Sequence, residues 1–102
     1  MRIRILATAV ADLEAAREFY DLQEPGVGDY FQDCLFSEIE SLILHAGIHR
    51  KVHGYHRLLS KRFPYAIYYR IDEASVTLMH RVLDCHRDPE TNRKSLGPDL
   101  WT

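Results

Sequence analysis

Several protein classes are excluded by what this chain lacks. Its two cysteines, Cys34 and Cys85, are too few for a disulfide framework, and neither belongs to a Cys-x-x-Cys pair, so reduced structural thiols are expected. No apolar run approaches the roughly 18 residues of a membrane span. The N-terminus alternates Arg2, Ile3, Arg4, Ile5 and has no apolar signal-peptide core, so the expected location is the cytoplasm, with no membrane partner. Repeats, linkers and low-complexity segments are missing as well. With 102 residues and 46% hydrophobic content, the chain is expected to form one domain over residues 1–102, with a single core.

Net charge is only -2, but it is unevenly distributed. Residues 1–47 hold three basic residues against nine acidic, whereas residues 48–102 hold ten basic against six acidic and five of the six histidines. The second half could present a positive surface to nucleic acid or to an acidic protein segment; alternatively, the two halves are solvated faces that attract each other.

The stretch from Arg62 to Pro89 organises the rest. Two runs rich in aromatic and β-branched residues flank Asp72-Glu73-Ala74-Ser75, as in a β-hairpin. Phe63, Tyr65, Ile67, Tyr69 and Ile71 share one face, with Ala66, Tyr68 and Arg70 on the other, which predicts a central strand covered on both sides. In the second run Val76, Leu78, His80 and Val82 alternate with Thr77, Met79, Arg81 and Leu83. His80 and Arg81 thus fall inside an otherwise buried pattern.

Upstream, residues 2–7 read as a strand, and Thr8 offers a hydroxyl cap to a helix whose apolar positions are Ala9, Leu13, Ala16 and Tyr20. That helix should end near Gln23, before Pro25 and Gly26. A second helical pattern runs from about Gly28 to Ala46 through Phe31, Leu35, Ile39, Leu42 and Ile43, and Gly47 stops it. The two form a hairpin able to cover a sheet face. Tyr20, Tyr30 and Phe31 are read as core. Gly54 to Leu59 reads as a third strand pairing with the central one. His49, His53 and His56 are spaced as metal ligands could be, yet no carboxylate or cysteine pattern completes a four-ligand set, so no metal or other cofactor is expected. The tail beyond Pro89 reads as a short helix plus coil or as partly disordered, and Trp101 is expected to dock on a surface.

The order strand, helix, helix, three strands, together with Phe63-Pro64-Tyr65-x-Ile67-x-Tyr69, Arg87-Asp88-Pro89, Pro25-Gly26-x-Gly28 and Phe31, resembles the RelE/ParE family of toxins from type II toxin-antitoxin systems. The resemblance spans nearly the whole chain. It implies an α+β fold: an N-terminal strand, a helical hairpin, then three antiparallel strands forming a twisted sheet packed against the helices. It also implies a growth-inhibiting, plasmid-stabilising toxin and a cognate antitoxin with an acidic C-terminal segment.

Two activities occur in that family: RelE-like members cleave messenger RNA on the ribosome, whereas ParE-like members poison DNA gyrase without being nucleases. Metal-free RNA cleavage needs a base, cations for the phosphorane and an acid. This chain has Ala66 where many relatives carry a strand arginine, Asp84 where many carry histidine, and no late tyrosine. The expectation is therefore a ParE-like, non-enzymatic toxin with gyrase as target. The alternative is a ribosome-associated mRNA endoribonuclease with His80, Arg81, His86 and Arg87 as candidate catalytic residues; a family member that survives only as a binding module is a third reading. Arg57, Lys61, Arg62, Arg70, Arg81 and Arg87 are the candidates for binding target or antitoxin.

Overall fold

Apolar spacing builds the first layer. In the computed structural model, which describes residues 2–97, β1 (Arg2–Ile5) leads into α1 (Ala7–Gln23) and α2 (Val27–His45). Then come β2 (Lys51–Val52), β3 (Tyr55–Leu59), β4 (Tyr65–Ile71), β5 (Val76–Asp84) and α3 (Pro89–Ser95). The strands form one sheet in the order β1-β5-β4-β3-β2, with β1 parallel to β5 and the other neighbours antiparallel. No described helix is long and apolar enough to cross a membrane. Trp101 lies outside the described residues.

The predicted stripes of α1 and α2 meet one face of the sheet. Ala9, Leu13 and Ala16 of α1, and Phe31, Leu35, Ile39 and Leu42 of α2, are buried against Tyr65, Ile67 and Tyr69 of β4 and Met79 and Val82 of β5. Removing apolar surface from water, at about 25 cal/mol per Å², does more than any other effect to hold the two layers together. The helices turn on Gly26, whose φ of 93° lies in the left-handed region. Asp21 of α1 then accepts the Gly28 N–H at 2.7 Å, which satisfies one of the donors left open at the start of α2.

The opposite face of the sheet is also covered. Tyr55, Ala66, Tyr68, Leu83 and Leu96 form a smaller cluster there, and the Tyr55 hydroxyl donates to the Leu96 carbonyl at 3.2 Å. The tail thus folds back as α3 along the outer face. Asp88 caps it, its side chain accepting the Glu90 N–H, and Pro89 occupies the first turn, where a missing N–H costs nothing.

Several expectations differ from the structure: Ile43, read as part of the apolar stripe of α2, is half exposed, and the first strand stops at Ile5 rather than residue 7 because α1 begins at Ala7. Thr8 does not cap α1: the N-cap is Leu6, with no side-chain bond, and the Thr8 hydroxyl donates instead to the His80 carbonyl at 2.7 Å. Tyr30 is not core; it is half exposed on α2 and its hydroxyl accepts from Arg62 Nη1 at 2.8 Å. The strict alternation along the last strand also fails. Arg81 pairs with Tyr68 and Met79 with Tyr69, leaving His80 as the extra residue of a β-bulge. The bulge shifts parity by one, which is how Met79 and Val82, an odd and an even position, both reach the helix-facing core.

Candidate functional site

The bulge sets the environment of His80. β1 covers β5 only from Val76 to Met79, so beyond that point the β5 edge would be bare. Side chains close it in sequence: Thr8 bonds the His80 carbonyl, Asp12 Oδ2 accepts the Val82 N–H at 3.0 Å, and Asn92 Nδ2 donates to the Asp84 carbonyl at 2.9 Å.

Arg81 belongs to that closure. Its Nε and Nη2 donate to the two carboxylate oxygens of Asp12 at 2.7 and 2.8 Å, and its Nη1 donates to the Ser95 carbonyl at 2.9 Å. This forked, partly buried pair, with Asp12 15% and Arg81 24% exposed, ties α1, β5 and the end of α3 together. The Asp12 hydrogen bond, more than its Coulomb field, raises the already high Arg81 pKa, so the cation is permanent.

His80 is the neutral partner of a second arginine. Arg70 Nε donates to His80 Nε2 at 2.9 Å, which requires that nitrogen to be the unprotonated one. The ring packs edge-on against Tyr55, with centroids 5.0 Å apart. Burial first, and Arg70 second, push the imidazole below its ordinary pKa.

His86 sits exposed in the turn after β5, its backbone N–H held by Asp84 Oδ1 at 2.8 Å. Arg87 is half-buried, with Nη2 donating to Ser95 Oγ at 3.1 Å. It lies between two hollows, one beside Tyr65, Val82 and Asp84 and the other beside Arg57 and Cys85. Tyr65 is no base near neutrality, because burial, with the Asp84 carboxylate next, pushes its pKa up to about 12.

The candidates therefore fall into separate groups. Arg70 and His80 bond one another, Arg81 and Arg87 both reach Ser95, and Arg57 and Arg87 line one hollow. Lys61 and Arg62 lie apart, at a groove of about 680 Å³ between α2 and the end of β3 beyond its pairing with β2, with Tyr30, Cys34, Glu38 and Leu58 among its walls. Glu38 Oε1 accepts the Lys61 N–H there at 2.8 Å. The three spaced histidines also separate. His49 Nδ1 lies 2.5 Å from the Tyr69 hydroxyl, His56 stacks on the Tyr69 ring, and His53 is exposed beside Gly54.

Sequence reasoning missed Asp12, Asn92 and Ser95, the residues that decide what the arginines can do. Asp12 reads as an ordinary outward residue of an amphipathic helix, and nothing local marks its partner 69 positions away. Asn92 carried a weak signal as a polar residue in a segment capped by Asp88-Pro89.

The family model described as "ParE toxin of type II toxin-antitoxin system, parDE" matches residues 3–89. No curated protein matches the chain. Among solved structures, a chain of a "Chromosomal ParDE TA system from P. aeruginosa" is similar with a TM-score of 0.73 and 22% identity, over 80% of this chain and 92% of that one. At that identity the likeness is one of fold.

Proposed function

Because the chain belongs to the ParE toxins of type II toxin-antitoxin systems, we propose that it acts as a toxin that disables DNA gyrase by binding, that a cognate antitoxin neutralises it, and that it does not cleave RNA. The observation that carries this reading is the engagement of Arg81. A cation that must stabilise a phosphorane has to face the substrate, whereas this one is bonded through three nitrogens to Asp12 and Ser95.

Other groups support the same reading. His80 has its acceptor nitrogen filled by Arg70, and Ala66, in the strand position where nuclease relatives carry arginine, is 1% exposed within the outer cluster. Of the four candidate catalytic residues only His86 is an exposed imidazole, and a lone exposed imidazole lacks the positioned cations that metal-free cleavage requires.

Gyrase supercoiling with the purified toxin, run beside translating ribosomes loaded with messenger RNA, tests the proposal. Loss of supercoiling or trapped cleaved DNA is expected, with the message intact. Ribosome-dependent fragments made by the wild type and abolished in His86→Ala would overturn it in favour of the nuclease.

A further inference from the structure

Three rings hold the loop between α2 and β2 to the sheet. Tyr69 of β4, with no exposed surface, is their hub. Its hydroxyl accepts the Gly47 N–H at 3.0 Å and stands 2.5 Å from His49 Nδ1. His49 is half-buried and packs edge-on against the Tyr69 ring, with centroids 5.6 Å apart. His56 of β3, opposite Tyr69 in the ladder, stacks on the same ring at 5.1 Å, and its Nδ1 donates to the His49 carbonyl at 2.7 Å.

The partners fix which atoms carry protons. A carbonyl only accepts, so His56 Nδ1 carries a hydrogen, and that bond survives a second proton on the ring. At Tyr69 the arrangement is the reverse. Burial raises the Tyr69 pKa, and the backbone N–H groups of Gly47 and His49 act on the phenol oxygen in the opposite sense, occupying it as an acceptor. The phenol hydrogen therefore goes to His49 Nδ1, which has to be the bare nitrogen of a neutral imidazole. A proton on that nitrogen turns an acceptor into a donor. Two hydrogens then face each other, and the buried hydroxyl loses its only acceptor among the described residues.

Little else ties this stretch across to the sheet. Gly47, Ile48, Arg50 and Lys51 are exposed, and the Arg50 carbonyl accepts the Arg57 N–H at 3.0 Å. β2 has two residues, paired with His56 and Tyr55, of which Val52 alone packs inward. A segment with so few buried contacts opens locally before the whole fold does. Burial most of all, then His56 from β3 and His45 from the end of α2, disfavour a proton on His49, and Tyr69 from β4 brings no charge to offset them.

We infer that His49 and Tyr69 form an acid-sensitive latch at the β2 edge of the sheet: when His49 takes a proton, its bond to Tyr69 breaks, residues 47–50 come away, and β2 loosens from β3. The Arg57 N–H then loses the Arg50 carbonyl, and β3 becomes an open edge able to pair with another strand. The latch is closed above about pH 6.5, the ordinary imidazole value, and opens as pH falls through the lowered folded value of His49. It belongs to the fold and stands whatever the toxin targets.

Amide hydrogen exchange of the whole chain, followed by NMR from about pH 7.5 to about pH 5 and corrected for the intrinsic rate, tests it. Protection of Gly47 and Arg57 should fall by up to about ten-fold per pH unit below about pH 6.5, the limit for one proton, while that of Ile67 in β4 falls less. His49→Asn offers an acceptor oxygen near the same point without titrating, and should keep Gly47 protected throughout. Tyr69→Phe keeps the ring and removes the hydroxyl. Gly47 should then be unprotected across the whole range, and the His49 ring should titrate nearer its ordinary value. Gly47 protection indifferent to pH in the wild type, or intact in Tyr69→Phe, would overturn the inference. So would a wild-type pH profile in His49→Asn, or Ile67 losing protection in step with Gly47.

Discussion

Ile67 has no exposed surface and lies at the middle of β4, between the helical hairpin on one side and its ladder partners Leu58 and Val82. Truncation there removes transfer energy and leaves a cavity that close-packed neighbours only partly fill, so Ile67→Ala should destabilise by about 2–5 kcal/mol. Urea unfolding with an unchanged slope and a lower midpoint is the expected result; a midpoint equal to the wild type would show that β4 is not central. Protonation acts at the same scale. Burial, with Arg70, lowers the His80 pKa below 6.5, and burial, with His56 and then His45, does the same for His49. The unfolded chain therefore binds these protons more readily than the folded one. Their contribution is complete above about pH 6.5 and is lost as pH falls through the depressed folded values. The melting temperature should accordingly drop between pH 7 and pH 5. His80→Gln retains an acceptor for Arg70 without titrating, so its drop should be shallower; an identical slope would mean that His80 does not contribute.

Elements with a strong period were legible in the sequence. The stripes Ala9, Leu13, Ala16 and Phe31, Leu35, Ile39, Leu42 located both helices to within about two residues, and the paired aromatic runs located the central hairpin. Shorter or context-dependent features were not. β2 has two residues, too few to show any period, and exists because Lys51 and Val52 can pair with His56 and Tyr55. The bulge at His80 is a disagreement in register between two strands, which neither strand's pattern contains. The site was legible only as an inventory of basic residues. Arg81 is engaged rather than free because Asp12 lies across the β5 edge, a relation set by the packing of α1. The Pro25-Gly26-x-Gly28 signature now has a physical reason. A Cβ on Gly28 would run into the Arg17 carbonyl oxygen and stand 2.6 Å from Asp21 Oδ1, so only glycine lets the two helices approach this closely. Alanine would gain up to about 1 kcal/mol of helix propensity, but the clash is with backbone and cannot relax by a rotamer change. Gly28→Ala should therefore cost a net 1–3 kcal/mol or so, read as a lower unfolding midpoint. An unchanged or raised midpoint would show that the hairpin can open at no cost.

At the scale of the whole molecule, the question is where the charge asymmetry goes once the chain is folded. Arg81–Asp12 joins the acidic first half to the basic second, while Arg17–Asp29 and Arg93–Glu90 each stay within one half. Mutual attraction of two faces therefore absorbs little of the asymmetry, and Arg57, Lys61, Arg62 and Arg87 remain on the surface or in open hollows of the second half. They lie on different sides of the sheet, Lys61 and Arg62 by α2 and Arg57 and Arg87 near α3. A compact acidic patch could not reach all four, whereas an extended acidic segment could, and a family antitoxin that wraps its toxin would have that form. Exposed Leu59 and Tyr30, beside the α2 groove, supply apolar anchors for such a segment. Anchors of this kind set the dissociation rate, while dispersed charges act mainly through long-range steering. Raising salt from about 0.05 to 0.5 M shortens the screening length to a few ångströms and should slow association far more than it speeds dissociation. Stopped-flow mixing with a cognate antitoxin decides the matter. An association rate indifferent to salt would mean that the four cations face solvent in the complex, and that the antitoxin docks elsewhere.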